Sequence, residues 1–337
     1  MNKPLRKSQQ ILLIGLGSIG KRHLQNLISL GYQNVSIVSR SGNLPTEFAN
    51  LPVFTNLEEA LDKISFHTAI ICTPTAQHVQ GLQKLLKYKV QSIYLEKPAG
   101  HNKESYQYLQ SLINKTQSKI VVGYDLHFDL GLQKVKELII KEAVGKPVSI
   151  NATVGQYLPD WRPQEDYTKG MSASISKGGG VMLDLIHEFD YLYWLMGTAN
   201  TIAAQSVHSN SLNIETEDAA EVLLKFESGI IGTIHLDYLQ PQLVRNCTIT
   251  CTAGTVFWDI TLSEVKWINT KKETDQFSYA GFERNERFKQ IMQTFLEDKN
   301  DPRLTTLEQG LESLKMVLAA KYSSENNVFV NLKTFNN

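Results

Sequence analysis

Two stretches of this chain set reactive side chains in backbone that can aim them, and a third has the form of a ligand cradle. Tyr94-Leu95-Glu96-Lys97-Pro98 ends an apolar run in a carboxylate, an amine and a proline. A proline bars its predecessor from the helical region, so Lys97 is held extended and its side chain is aimed, by a cis bond or a rigid turn. Alone, this is equally a surface Glu-Lys pair at a strand end. Lys177-Gly178-Gly179-Gly180-Val181-Met182-Leu183-Asp184-Leu185-Ile186-His187 opens a helix with glycines and continues apolar. On one helix from Val181 to Met196, Asp184 and His187 share a face. A carboxylate and an imidazole there can bind a hydroxyl and move its proton, or form a satisfied pair between helix and sheet.

The cradle is Gly15-Leu16-Gly17-Ser18-Ile19-Gly20, directly after the apolar run Ile11 to Ile14 and before a helical pattern from Lys21. Glycine suits each site: Gly15 for a tight turn, Gly17 for close approach of a pyrophosphate, Gly20 for helix-on-strand packing. Ser18 and Ile19 then start a helix whose free N–H groups face the phosphates. A glycine-rich turn with no ligand has the same spacing. Beside an oxidised nicotinamide, a lysine gives up its proton more readily and could trade it with a substrate hydroxyl. Where NAD enzymes carry an acid after the second strand, this chain has Ser39-Arg40-Ser41, which suits the 2′-phosphate of NADP. An arginine can also stack on adenine in an NAD enzyme, so NADP is favoured and NAD stays open. Cys72-Thr73-Pro74-Thr75-Ala76-Gln77-His78 follows another buried strand, at the edge where ligands bind. Thr73, Pro74, His78 and Glu96 are therefore cofactor-contacting candidates, although a plain βα turn accounts for Thr75 and His78.

The elements that must position these residues read as two domains in 337 residues. Residues 1–125 alternate strand and helix, predicting a Rossmann doubly wound parallel sheet. Residues 126–337 carry long alternating runs and tight turns, predicting an α/β domain with a large, mostly antiparallel open sheet in a meander. An open sheet face needs a cover, and a second subunit is one candidate. Lys+Arg and Asp+Glu are each 34, so no basic field points to nucleic acid or an anionic membrane. No apolar run approaches the roughly 20 residues of a membrane span. Met1 to Lys7 is basic, but a strand and not a leader's apolar core follows. Cys72, Cys247 and Cys251 suggest neither a disulfide framework nor a metal site. A cytoplasmic protein is expected.

Taken together and in order, the glycine loop, Thr73-Pro74, Glu96-Lys97-Pro98 and Gly178-Gly179-Gly180…Asp184…His187…Asp190 resemble the Gfo/Idh/MocA oxidoreductases. The resemblance covers nearly the whole chain, including Glu217-Asp218-Ala219-Ala220 and the last helices. It implies hydride transfer between a nicotinamide and a secondary alcohol or ketone of a sugar or sugar derivative. It also implies that Lys97 is the catalytic lysine, supported by Glu96. His187 is then its acid/base partner and Asp184 a substrate-positioning carboxylate. The open sheet would form the interface of a homodimer or homotetramer.

Three departures are visible. The family helix usually has its histidine one residue further from the aspartate, so His187 would be rotated by about 100° unless the helix adjusts. Asp125-Leu126-His127 stands where the family often has Asn-x-Arg, making His127 a candidate substrate contact or a structural residue. Gln156-Tyr157-Leu158-Pro159-Asp160-Trp161-Arg162-Pro163, with Asp166-Tyr167, resembles the subset found among cell-surface sugar biosynthesis enzymes. Trp161 could stack on a sugar or nicotinamide and Arg162 could bind a phosphate or carboxylate; otherwise this is a rigid aromatic loop. Two other functions fit the fold: reduction of a non-sugar carbonyl or a tetrapyrrole, and a catalytically silent NADP-binding regulator.

Overall fold

The apolar tetrad Ile11–Ile14 (β1) is buried at every position, as strands covered on both faces are. A computed structural model describes residues 9–335; the basic segment Met1 to Lys7 lies outside them. After β1 come α1 (Ser18–Ser29), β2 (Val35–Val38), β3 (Val53–Phe54), α2 (Leu57–Lys63), β4 (Thr68–Ile71), α3 (His78–Lys87), β5 (Ser92–Leu95), α4 (Lys103–Leu112) and β6 (Lys119–Val122). Next are α5 (Leu130–Ile140), β7 (Pro147–Gly155), α6 (Val181–Asp184), α7 (His187–Met196), β8 (Ala199–Val207), β9 (Ala219–Phe226) and β10 (Ile231–Asp237). The chain ends with β11 (Val244–Cys251), β12 (Gly254–Asp259), β13 (Glu264–Asn269), β14 (Thr274–Ser278), α8 (Arg284–Glu297), β15 (Thr305–Thr306), α9 (Leu307–Asn326) and β16 (Val330–Asn331).

Two compact units result. The first comprises the described residues up to Gly100, then Ser105–Asp125 and Glu283–Leu311. Its sheet has the order β3-β2-β1-β4-β5-β6, all parallel, with β15 added antiparallel at the β6 edge. This is the Rossmann order, and its topological switch lies between β1 and β4. Helix α8 belongs to this unit because Phe288, Ile291, Met292 and Phe295 form one buried stripe.

The second unit comprises His101–Glu104, Leu126–Phe282 and the described residues from Glu312. Its nine-stranded sheet runs β14-β13-β12-β11-β7-β10-β9-β8-β16. The sheet is mostly antiparallel, as expected, and its meander is divided: β8-β9-β10 and β11-β12-β13-β14 lie on either side of β7, which pairs with β10 in parallel. The single helix predicted from Val181 to Met196 is also two, α6 and α7, interrupted at Leu185 and Ile186. The helical register joining Asp184 to His187 is therefore lost. Among the described residues no helix is long and apolar enough to cross a membrane.

One face of the nine-stranded sheet is buried and the other is open, as the alternation in β9 and β10 shows. On the open face His235 lies between Glu221, at 2.5 Å, and Asp237, at 2.8 Å. The hydrogen bond to Asp237 works against partial burial and, with Glu221, raises the imidazole to about 9. Burial would raise Asp237, but hydrogen bonds from His235, Gln240 and the N–H groups of Leu239 and Gln240 hold it down to about 2. His235 therefore adds stability that is complete below its unfolded value of about 6.5 and fades as pH rises through 9. Asp237 adds stability present above about 3.9 and lost as pH falls through 2. The His235 ring resonances should accordingly titrate near pH 9, and Asp237→Asn should lower that midpoint. A native midpoint near 6.5 would contradict this.

Candidate functional site

In the first unit the three loop glycines turn out to serve different purposes. Gly15 has φ +94°, and a Cβ there would lie 2.7 Å from the Cys72 carbonyl oxygen, so the turns after β1 and β4 touch. A Cβ on Gly20 would lie 2.1 Å from the Gly15 oxygen. At Gly17 an added Cβ meets none of the described residues within 4 Å. Among the described residues nothing demands glycine at position 17, and open space there is what a cradle for an external group requires. Gly17 is also the N-cap of α1, with no side-chain cap, and α1 has no acid in its first turn. The leading N–H groups at Ser18 and Ile19 are thus offered to an anion. These features fit a dinucleotide pyrophosphate.

At the end of β2, Ser39 and Ser41 have their hydroxyls 3.3 Å apart and Arg40 between them is exposed. Among the described residues Arg40 has no ion-pair partner. Along the same edge, Thr73 is half-buried and Pro74 exposed. His78 is buried, with Nδ1 2.9 Å from the Pro98 carbonyl and Nε2 2.9 Å from the Thr73 carbonyl. Its ring braces the turn after β4 against the turn after β5. The Lys97–Pro98 peptide is cis. Lys97 is half-buried, and its backbone N–H donates to Glu96 Oε2 at 3.2 Å. Glu96 Oε1 lies 2.6 Å from His23 Nε2 on α1, a partner that no local pattern announced.

The second unit gathers Asp184, Trp161 and an unpredicted residue, Tyr238. The Tyr238 hydroxyl donates to Asp184 Oδ2 at 2.7 Å. Burial, and then the Asp184 carboxylate, push that phenol well above its ordinary value, so it remains a donor. Trp161 meets the Tyr238 ring edge-on at 5.4 Å, and its indole N–H donates to the Gln156 carbonyl at 3.2 Å. Arg162 is exposed, 3.9 Å from the Glu165 carboxylate. Asp184 is 5% and His187 8% exposed, and the two sit on either side of the helix break.

The glycines before α6 are explained by packing. A Cβ on Gly179 would lie 2.1 Å from the Met171 oxygen, while at Gly180, with φ +116°, it would lie 2.5 Å from Glu217 Oε1. Glu217 fills that space, accepts from the Met182 N–H at 3.4 Å and pairs with Lys321 at 3.2 Å. His127 is 4% exposed. Its Nε2 is 2.9 Å from Asp190 Oδ2, and its ring stacks on Trp194 at 4.4 Å. Lys136 covers Trp194, 3.8 Å above the ring. His127 is therefore built into a layered stack inside this unit.

A Rossmann sheet with a glycine cradle at its switch point, and charged residues along the same carboxyl edge, is the architecture of an NAD-binding oxidoreductase. Residues 9–124 match the family model described as an oxidoreductase family with NAD-binding Rossmann fold, and residues 132–257 match that of the GFO/IDH/MocA C-terminal domain. The chain belongs to the Gfo/Idh/MocA oxidoreductase family. It is 24% identical to myo-inositol 2-dehydrogenase of Thermotoga maritima, over 96% of this chain and 98% of that protein. It is 25% identical to the uncharacterized oxidoreductase YrbE of Bacillus subtilis, over 66% of this chain but only 65% of that protein. The crystal structure of the WlbA dehydrogenase of Chromobacterium violaceum, in complex with NADH and UDP-GlcNAcA, superposes with a TM-score of 0.82 over 98% of both chains. At 19% identity that likeness is one of fold.

Proposed function

We propose that this protein is an NADP-preferring dehydrogenase or reductase acting on a secondary alcohol or ketone of a sugar or sugar derivative. The observation that carries the reading is the order of β1, β4 and β5 as neighbours, which sets the glycine cradle and Lys97 on one edge. Two strand spacings separate them, about 10 Å, within the reach of a bound dinucleotide. The first unit holds the cofactor, and the second binds substrate and oligomerises. Gly15, Gly17, Ser18, Ile19 and Gly20 take the pyrophosphate, with Ser39, Arg40 and Ser41 on the 2′-phosphate. Thr73, Pro74, His78, Glu96 and Lys97 shape the nicotinamide side. A bound nicotinamide supplies the hydride donor or acceptor. Lys97 moves the hydroxyl proton, His187 assists, and Asp184, held by Tyr238, orients a hydroxyl. Trp161 and Arg162 add an apolar face and a guanidinium for a nucleotide, phosphate or carboxylate on the sugar, and His127 supports this region from within.

The relatives support this class: one is named an inositol dehydrogenase, and another was crystallised with NADH and a UDP-sugar. A panel of polyols, free sugars, sugar nucleotides and non-sugar carbonyls, followed by NADPH absorbance, tests the substrate class. Turnover confined to non-sugar carbonyls would overturn it, and NADPH bound but never consumed would mark a regulator. For the cofactor, KM should be lower for NADP(H), and Arg40→Ala should erase roughly 10- to 100-fold of that preference, the worth of a charge-assisted contact. A native preference for NAD would sink the NADP assignment.

A second copy is the proposed cover for the open sheet face. Register places Phe257, Thr248, Asn151, Thr233, Leu223 and Ala203 in one row across it. Leu223 and Phe257 are each 40% exposed among small polar neighbours, the mix of a surface that another copy covers. A monomer in light scattering at micromolar concentration would refute this.

A further inference from the structure

We propose that His23 is a positioning residue for Lys97, acting through the carboxylate of Glu96. The inference rests on the reading of Lys97 as the proton carrier and names what holds that lysine in place. His23 lies on α1, three residues beyond Gly20, and is completely buried. Its Nε2 is 2.6 Å from Glu96 Oε1, while Glu96 Oε2 accepts the Lys97 backbone N–H at 3.2 Å. Glu96 is itself 6% exposed. One buried carboxylate thus joins the helix that begins at the pyrophosphate cradle to the turn that carries the lysine.

The ring's surroundings decide where its proton sits. Tyr94 and Phe288 meet it edge-on at 5.3 and 6.2 Å, which fixes its plane. Nδ1 is buried and has no hydrogen-bond partner among the described residues. An orphaned buried N–H is rarer than an under-used acceptor. The proton of this contact therefore belongs on Nε2, and His23 is a donor aimed at Glu96. From Ser18 to His23 the helix rises only about 7.5 Å, so the pyrophosphate cradle and the Glu96–Lys97 tie share one rigid frame. Without the Nε2 donor, Glu96 keeps fewer bonds and loosens its hold on the Lys97 backbone. A misplacement of about 1 Å at a reacting group can cost on the order of 100-fold in rate.

The test compares His23→Leu with His23→Gln, whose amide N–H reaches the Nε2 position, in the full chain with NADPH and a substrate from the panel. His23→Leu should lower kcat by roughly 10- to 100-fold, with the Kd for NADPH within about 3-fold because no cradle atom changes. His23→Gln should recover most of that loss. Equal losses in both variants, or native kcat in His23→Leu, would overturn the proposal. Two NMR readouts need no turnover. In the unsubstituted protein the His23 Nε2 should carry a proton; a ring protonated on Nδ1 only contradicts the proposal. The Lys97 backbone amide resonance should move in His23→Leu and stay near native in His23→Gln; an unmoved resonance also contradicts it. If no substrate is found, the function reading fails and these resonances still decide the tie.

Discussion

Replacing Lys97 by alanine is expected to lower kcat by roughly 10²- to 10⁴-fold, the range for a group that transfers a proton in the transition state. The Kd for NADPH should stay within a few-fold of native. Lys97 stands at the end of β5, half-buried, with its backbone held by Glu96 and followed by a cis proline. Truncation at Cβ leaves that backbone tie in place. It also leaves the Gly15–Gly20 turn, the start of α1 and the Ser39–Ser41 turn untouched, so the groups proposed to grip the dinucleotide remain. Rate and cofactor affinity should therefore separate. Single-turnover rates and fluorescence titration of NADPH measure the two quantities independently. Near-native turnover in Lys97→Ala would remove the lysine from the mechanism, and a parallel collapse of affinity would recast it as a cofactor contact.

The second large effect is a contrast between two glycines three residues apart. Gly20→Ala forces a methyl to within 2.1 Å of the Gly15 carbonyl oxygen, a backbone atom that cannot swing away. The helix must shift on its strand, at a cost of roughly 3–5 kcal/mol. Thermal unfolding of Gly20→Ala should fall by about 10 °C. Gly17→Ala puts its methyl into open space at an ordinary backbone angle, φ −71°. Stability should change by no more than about 1 kcal/mol. The methyl would stand where the pyrophosphate must come close to the chain, so the Kd for NADPH should rise about 100-fold. Loss of binding without loss of stability at position 17, against loss of stability at position 20, is the signature of a cradle. Native affinity in Gly17→Ala would move the phosphates elsewhere.

Much of this was readable in the sequence because its determinants are local. A glycine's tolerance of φ +94°, a proline's restriction of its predecessor and the burial of four apolar residues in a row depend on neighbours along the chain. That is why the Rossmann fold, the glycine turn after β1 and the turn at Lys97 could be expected. Period-2 alternation likewise announced strands beyond residue 146, yet alternation carries no information about which strand pairs with which. The parallel union of β7 with β10 therefore appears only in the fold. The break between Asp184 and His187 was equally hidden, since Leu185 and Ile186 are acceptable helix residues. With a full helical register absent, their relation rests on the two turn residues Leu185 and Ile186.

By itself, then, the sequence determined a glycine turn between a buried strand and a helix, a proline-fixed turn at Lys97, and a carboxylate and imidazole close together in the chain. Short-range sterics and hydrogen-bond geometry act between near neighbours, so spacing is enough to reveal them. Only the tertiary structure decided what each charged group holds. His23 reaches Glu96 across 73 residues, and Tyr238 reaches Asp184 across 54. Glu217 fills the space that Gly180 leaves open, and His127 is drawn into a stack with Trp194 and Asp190. A buried polar group must find a partner wherever the fold supplies one, and packing brings that partner from parts of the chain that no local pattern links.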